Sequence, residues 1–293
     1  MTTIYDFASL LGKRKTNEDK HIIELNIDGK NKSKAPINAY GVFDGHGGRF
    51  VSKFLSDFLP KIMTSPKIKY PLRKSLVKCI FNFLQKVLKD RYSQYCTDTG
   101  STCLFVAHYR EGNNDFLNVI NIGDSKCVLC RRGVAIPLNK EHRPSSFEEH
   151  SRIKALGGQV TQSIGDDPRI SGLSVSRSVG DLFAYPYVVP EPDLFKYKLT
   201  KDDKFIVLGC DGLYDYCTDN EVVTFVLKNC YDPYSQKLVT TKIATKLAQY
   251  AIDKGSTDNV SVIVVFLDRS ASPPSSAPFA SRQRPSAQAH VIV

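Results

Sequence analysis

No run of about 18 consecutive apolar residues occurs in the 293-residue sequence, so a membrane-spanning helix is not expected. The opening Met1-Thr2-Thr3-Ile4-Tyr5-Asp6 lacks a basic stretch followed by an apolar one, which argues against secretion. Position 2 is not glycine, so N-myristoylation is not expected either. No internal repeat is visible, which removes solenoids and propellers. Acidic residues are missing from Arg269 onward, where Ser, Pro, Ala and Arg dominate; residues 269–293 read as a disordered tail behind a single domain over 1–268. Cys127-Val-Leu-Cys130 has half of a zinc-site spacing, but no second pair follows. Without a secretory signal, the eight cysteines read as reduced thiols, with this pair as buried residues of a strand over 126–131.

What is present is ordinary in bulk and unusual in placement. With 42% hydrophobic and 24% charged residues, the chain has globular composition. Its net charge of +10 permits nucleic acid, an anionic surface or a phosphorylated partner. Residues 61–91 hold nine basic residues against Asp90 alone, and the tail adds three Arg and no acid, so the remainder is near neutral. The excess therefore suits a solvated helix face or a surface for an acidic partner, and nucleic acid is not expected.

Short apolar runs at 39–43, 103–107, 116–122, 205–208 and 260–266 read as buried strands, with a weaker one at 21–27. Helical periodicity follows Pro71 through Leu72, Leu76, Ile80, Leu84 and Leu88, and recurs at 50–59, 147–156, 220–227 and 238–252. Strands cluster rather than alternate with helices, so the expected class is α+β with a largely antiparallel sheet system covered by helices.

The strands end on carboxylates. Residues 39–43 run into Asp44-Gly45-His46-Gly47-Gly48, 116–122 into Gly123-Asp124-Ser125, and 205–210 into Asp211-Gly212. Thr257-Asp258-Asn259 precedes the last strand and Asn17-Glu18-Asp19 an early one. One Asp-Gly is a turn. Five acidic positions gathered at sheet ends would repel one another until protonated or joined by a cation. An all-oxygen donor set suits Mg²⁺ or Mn²⁺ better than Zn²⁺.

These motifs resemble, in order, those of the metal-dependent serine/threonine protein phosphatases of the 2C type. The resemblance covers roughly residues 5–268 and rests on Arg14-Lys-Thr-Asn-Glu18-Asp19, Val42-Phe-Asp44-Gly-His-Gly-Gly48, Gly100-Ser-Thr102 and Asn121-Ile-Gly-Asp124-Ser125. It continues through Arg152-Ile153 with Gly157-Gly158, Leu173-Ser-Val-Ser-Arg177-Ser-Val-Gly-Asp181, Asp211-Gly-Leu-Tyr-Asp215 and Asp258-Asn259.

The resemblance implies a four-layer αββα sandwich and a hydrolase that attacks phosphoserine or phosphothreonine with a water bridging two Mg²⁺ or Mn²⁺ ions. It implies that Asp44 bridges the ions, Glu18 and the Gly45 carbonyl help hold one, and Asp211 and Asp258 hold the other. Asp124 would hold a third, weaker ion with Asp211, and Asp19 would hydrogen-bond metal-bound water. Arg14 would clamp the phosphate and His46 would protonate the leaving oxygen. Phosphorylated proteins are then the substrates of a monomer in the cytoplasm or nucleus. Glu141-His142-Arg143-Pro144 replaces the family's usual Asp-His-Lys-Pro, a change expected to lie away from the metal. A phosphatase-fold binding protein with little turnover and a two-metal nuclease are the competing readings; the intact acidic set disfavours the first and the motif order the second.

Overall fold

A computed structural model describes residues 4–26, 36–65 and 67–267. The 269–293 tail lies outside the described residues. In chain order the elements are β1 (Ile4–Leu10), β2 (Lys20–Glu24), β3 (Asn38–Phe43), β4 (Gly45–His46), α1 (Phe50–Met63), α2 (Lys74–Cys96), β5 (Gly100–Ser101), β6 (Cys103–Glu111), β7 (Asn114–Ile122) and β8 (Lys126–Arg131). There follow β9 (Val134–Pro137), α3 (Phe147–Ala155), β10 (Val179–Gly180), β11 (Asp193–Lys198), β12 (Asp203–Gly209), α4 (Asp211–Tyr214), α5 (Asp219–Cys230), α6 (Ala244–Asp253) and β13 (Val260–Phe266).

Two five-stranded antiparallel sheets, ordered β1-β13-β12-β8-β9 and β11-β7-β6-β3-β2, pack face to face. The period of two along each strand sends alternate side chains to different cores. On β6, Leu104 and Val106 enter the space between sheets, while Cys103, Phe105 and Ala107 meet α1 and α2. On β13, Ile263 and Val265 face the other sheet, while Val260, Val262 and Val264 meet α5 and α6. The order of layers is therefore helix, sheet, sheet, helix, the α+β class read from the sequence.

Helices form where the apolar stripe repeats at 3.6. Along α2 the buried residues are Val77, Ile80, Phe81, Leu84, Leu88 and Cys96. That helix starts at Lys74 and not at Pro71, because the Leu72 N–H donates to Asn118 Oδ1 on β7 (3.0 Å) and holds the lead-in extended. The helix read over 238–252 starts at Ala244, because the Asp6 carboxylate accepts from the N–H groups of Ile243 (2.7 Å) and Ala244 (2.9 Å). Leu238 pairs instead with Tyr231 in an isolated bridge. Cys127 faces the core between the sheets and Cys130 the outer core, so the two thiols of the half zinc motif point to opposite sides of β8. All eight cysteines are free, and Cys79 alone is exposed.

Candidate metal-dependent active site

The two sheets end together at one rim, and a cleft of about 710 Å³ opens there. Asp44 leaves β3, Asp124 follows β7, Asp211 follows β12, and Asp258 precedes β13. Glu18, just ahead of β2, lines the same cleft. Each carboxylate is thus carried by a different strand end, which gives it a rigid backbone mount.

Polar contacts behind the cleft fix these mounts. The Asp44 N–H donates to Thr102 Oγ1 (3.1 Å), the Thr102 N–H returns to the Asp44 carbonyl (2.8 Å), and Thr102 Oγ1 meets Ser125 Oγ (2.8 Å). Asn259 donates through Nδ2 to the carbonyls of Leu11 (2.9 Å) and Thr16 (3.0 Å) and accepts from the Glu18 N–H (2.9 Å). The motif residues Thr102 and Asn259 therefore staple the acidic loops to the sheets. A side chain at Gly45 would place its Cβ 2.5 Å from the Glu18 carbonyl oxygen, so only glycine lets these segments approach.

Oxygens of Asp44 and Asp211 and the Sγ of Cys210 lie within 4.8 Å of one another. Removal from bulk water pushes the Asp44 carboxyl well above its ordinary range, and the charges of Asp211, Asp19 and Asp124 push it further. Burial likewise raises Asp211, with Asp258 and Asp215 adding repulsion. Asp124 rises to about 8, through burial and then Asp211. Burial carries Asp19 to about 6 against the opposing hydrogen bond from Ser261 Oγ (2.6 Å). Such a set is stable when charged only beside a cation. The buried Asp124 Oδ2 accepts no hydrogen bond among the described residues, and its nearest cation is the Arg143 guanidinium at 3.5 Å. Cys210 is already engaged: its Sγ donates to the Asn259 carbonyl (3.3 Å) and accepts from the Ser261 N–H (3.2 Å). The donors left facing the cleft are oxygens, and they fit Mg²⁺ or Mn²⁺.

Not every candidate points inward in the same way. Glu18 Oε2 accepts from the Gly48 N–H (2.9 Å) and Oε1 from Thr16 Oγ1 (3.2 Å). The Arg14 guanidinium, 60% exposed, rests on Asp258 Oδ2 at 2.6 Å, at the mouth of the cleft. His46 is fixed by a small sheet in which β5 lies between β4 and β10, an arrangement that draws residues 46 and 181 together. His46 Nε2 meets Asp181 Oδ2 at 2.7 Å, and Ser178 Oγ donates to the same oxygen. Burial acts to lower the His46 pKa, but Asp181, Asp124 and Asp211 together hold it above the ordinary value.

Three residues given no part from the sequence belong here, Asp181, Arg143 and Asp215. Asp181 is the partner of His46; it stood inside a quoted motif, but nothing in a linear pattern says which side chain it will meet. Arg143, read as a change away from the metal, instead lies 3.5 Å from Asp124 Oδ2 and 2.5 Å from Asp215 Oδ1. The hairpin β8–β9 and the turn after it fold residues 141–143 back over the rim, and the apolar periodicity of the sequence carries no trace of that return.

A sandwich of two antiparallel sheets with a cluster of buried carboxylates at one rim has the donor set of a metal-dependent hydrolase. The family model named Protein phosphatase 2C matches residues 4–260, and the chain belongs to that family of metal-dependent serine/threonine phosphatases. A PP2C-like domain-containing protein of Acanthamoeba polyphaga mimivirus is 42% identical over 176 residues, which is 54% of this chain and 98% of that protein. The Arabidopsis thaliana protein named Probable protein phosphatase 2C 71 is 33% identical over 89% of this chain, and the chain spans 55% of its length. In fold, the crystal structure of a phosphatase from a pathogenic strain of Toxoplasma gondii aligns with a TM-score of 0.76 and 23% identity, covering 91% of this chain and 95% of that one. Among the described residues, no helix is long and apolar enough to cross a membrane.

Proposed function

We propose that the chain hydrolyses phosphoserine and phosphothreonine in proteins, with water attacking phosphorus directly and without a phosphoenzyme. The observation that carries this reading is the convergence of Asp44, Asp124 and Asp211 on one cleft, with Asp19 buried behind them, all four carboxyls raised by burial and mutual repulsion. Glu18, Asp44, the Gly45 carbonyl, Asp211 and Asp258 would hold two Mg²⁺ or Mn²⁺ ions, and Asp124 with Asp211 a third, weaker one. Bound there, the ions supply positive charge opposite the phosphoryl oxygens and acidify the attacking water.

The chain's own residues then divide the remaining work. Arg14, exposed at the cleft mouth, turns its planar fork from Asp258 to the substrate phosphate. Asp19, anchored by Ser261, accepts a hydrogen bond from water at the cleft floor. His46, whose charged form is favoured by Asp181 2.7 Å away, gives its proton to the departing serine or threonine oxygen. We assign the activity to residues 1–268, acting as a monomer on phosphoproteins. Free, mostly buried thiols fit a reducing compartment, the cytoplasm or nucleus.

Incubation with a phosphothreonine peptide and Mn²⁺ should release phosphate; chelator should stop the release, and Asp211→Asn should lower it by roughly 10² or more. Absence of metal-dependent release from the folded wild-type chain would favour a binding protein instead.

A further inference from the structure

Arg143 is a largely buried cation set behind Asp124 and Asp215, two of the carboxylates that line the cleft. Its side chain is only 20% exposed. Nη2 and Nη1 straddle Asp215, at 2.5 Å from Oδ1 and 3.5 Å from Oδ2. Nη2 also lies 3.5 Å from Asp124 Oδ2, and Nε donates to Glu141 Oε1 at 3.2 Å. Glu141 is itself held by Lys126 Nζ at 2.8 Å, and Lys126 reaches Asp219 at 3.4 Å. The guanidinium therefore faces three carboxylates, hydrogen-bonded to Asp215 and Glu141 and in ion-pair range of Asp124, and Glu141 is fixed in turn by Lys126. Among the described residues, it is the one cation in ion-pair range of Asp124.

We propose that Arg143 is the resident counter-ion of the Asp124–Asp215 corner, and that a divalent ion reaches Asp124 only by displacing its guanidinium. The inference rests on reading the cleft as a metal-dependent phosphatase site. Two cations on one carboxylate oxygen repel each other, so arginine and metal are alternatives in this corner and not companions. The other end of the cleft carries no buried competitor among the described residues: Asp44 and Asp211 form no ion pair there, and the cation on Asp258 is Arg14, 60% exposed and free to swing away. Ions should consequently fill the Asp44–Asp211 end first, and the Asp124 corner should bind more weakly because a side chain already neutralises it.

Calorimetric titration of the full chain with Mn²⁺, paired with magnetic resonance of the free ion, counts the sites without relying on activity. The wild-type chain should show a tighter class of ions and a weaker one. Arg143→Gln should tighten the weaker class about tenfold or more and leave the tighter class in place. Arg143→Lys should fall between, because an ammonium is a point charge and cannot grip Asp215 and Asp124 as a fork does. Circular dichroism of the metal-free variants monitors folding; if Arg143→Gln does not fold, the lysine variant decides alone. An unchanged or weakened weaker class in the folded variants, with the tighter class intact, overturns the counter-ion role and spares the phosphatase reading. A wild-type chain that binds no Mn²⁺ overturns both.

Discussion

His46 and Asp181 are 135 residues apart in the chain and 2.7 Å apart in the cleft. If Asp181 keeps the imidazole charged for proton donation, the loss in Asp181→Asn must depend on the leaving group. Turnover of a phosphothreonine peptide should fall by roughly 10². p-Nitrophenyl phosphate, whose phenolate departs without a proton, should lose much less; equal losses on the two substrates would contradict the role. The pair also shows where reading residues in a line stops. Asp44, Asp124 and Asp211 were legible because each follows an apolar run that could only be a strand, so their shared rim follows from sheet geometry. Asp181 and Arg143 depend on which loops return to that rim, and loop paths leave no periodic trace.

At the scale of elements, α3 is locked to the loops around it by one buried carboxylate. Glu149 accepts from Arg177 (2.5 Å and 3.0 Å) and from Arg152 (2.8 Å and 3.1 Å). Burial alone would raise its pKa, but the hydrogen bonds from Arg177 and Arg152 outweigh that and lower it from 4.5 to about 2. A depressed folded-state pKa means the contribution is complete above about pH 4.5 and disappears as pH falls toward about 2. Glu149→Gln should therefore cost roughly 2 kcal/mol at neutral pH, and its stability should decline less steeply than wild type between those values. Urea unfolding across that pH range measures both, and parallel slopes would contradict the assignment. Elements were unequally visible beforehand. The central strands β3, β6, β7, β12 and β13 are buried on both faces and read as continuous apolar runs. The edge strands β1 and β11 present no such run, since Ile4–Leu10 and Asp193–Lys198 mix half-buried polar and apolar residues along one exposed border.

Across the whole molecule, charge and chemistry are separated. The exposed side of α2 and its lead-in carry Lys67, Lys69, Arg73, Lys89 and Arg91, which form no ion pair among the described residues. Neutralising Lys74, Lys78 and Lys89 to Gln should leave p-nitrophenyl phosphate turnover within about twofold of wild type, as expected for solvated charges remote from the site. A collapse of that turnover would show that the basic face feeds the cleft. A different separation follows from the pairing of β1 with β13. The antiparallel ladder sets Leu10 opposite Val260 at the cleft end and Ile4 opposite Phe266 at the other, about 20 Å away along the strands. Ile4 and Phe266 thus sit side by side at the end of the sheet away from the acidic rim. The domain can be plugged into a longer protein from that side like a cartridge, with its working face still open to substrate.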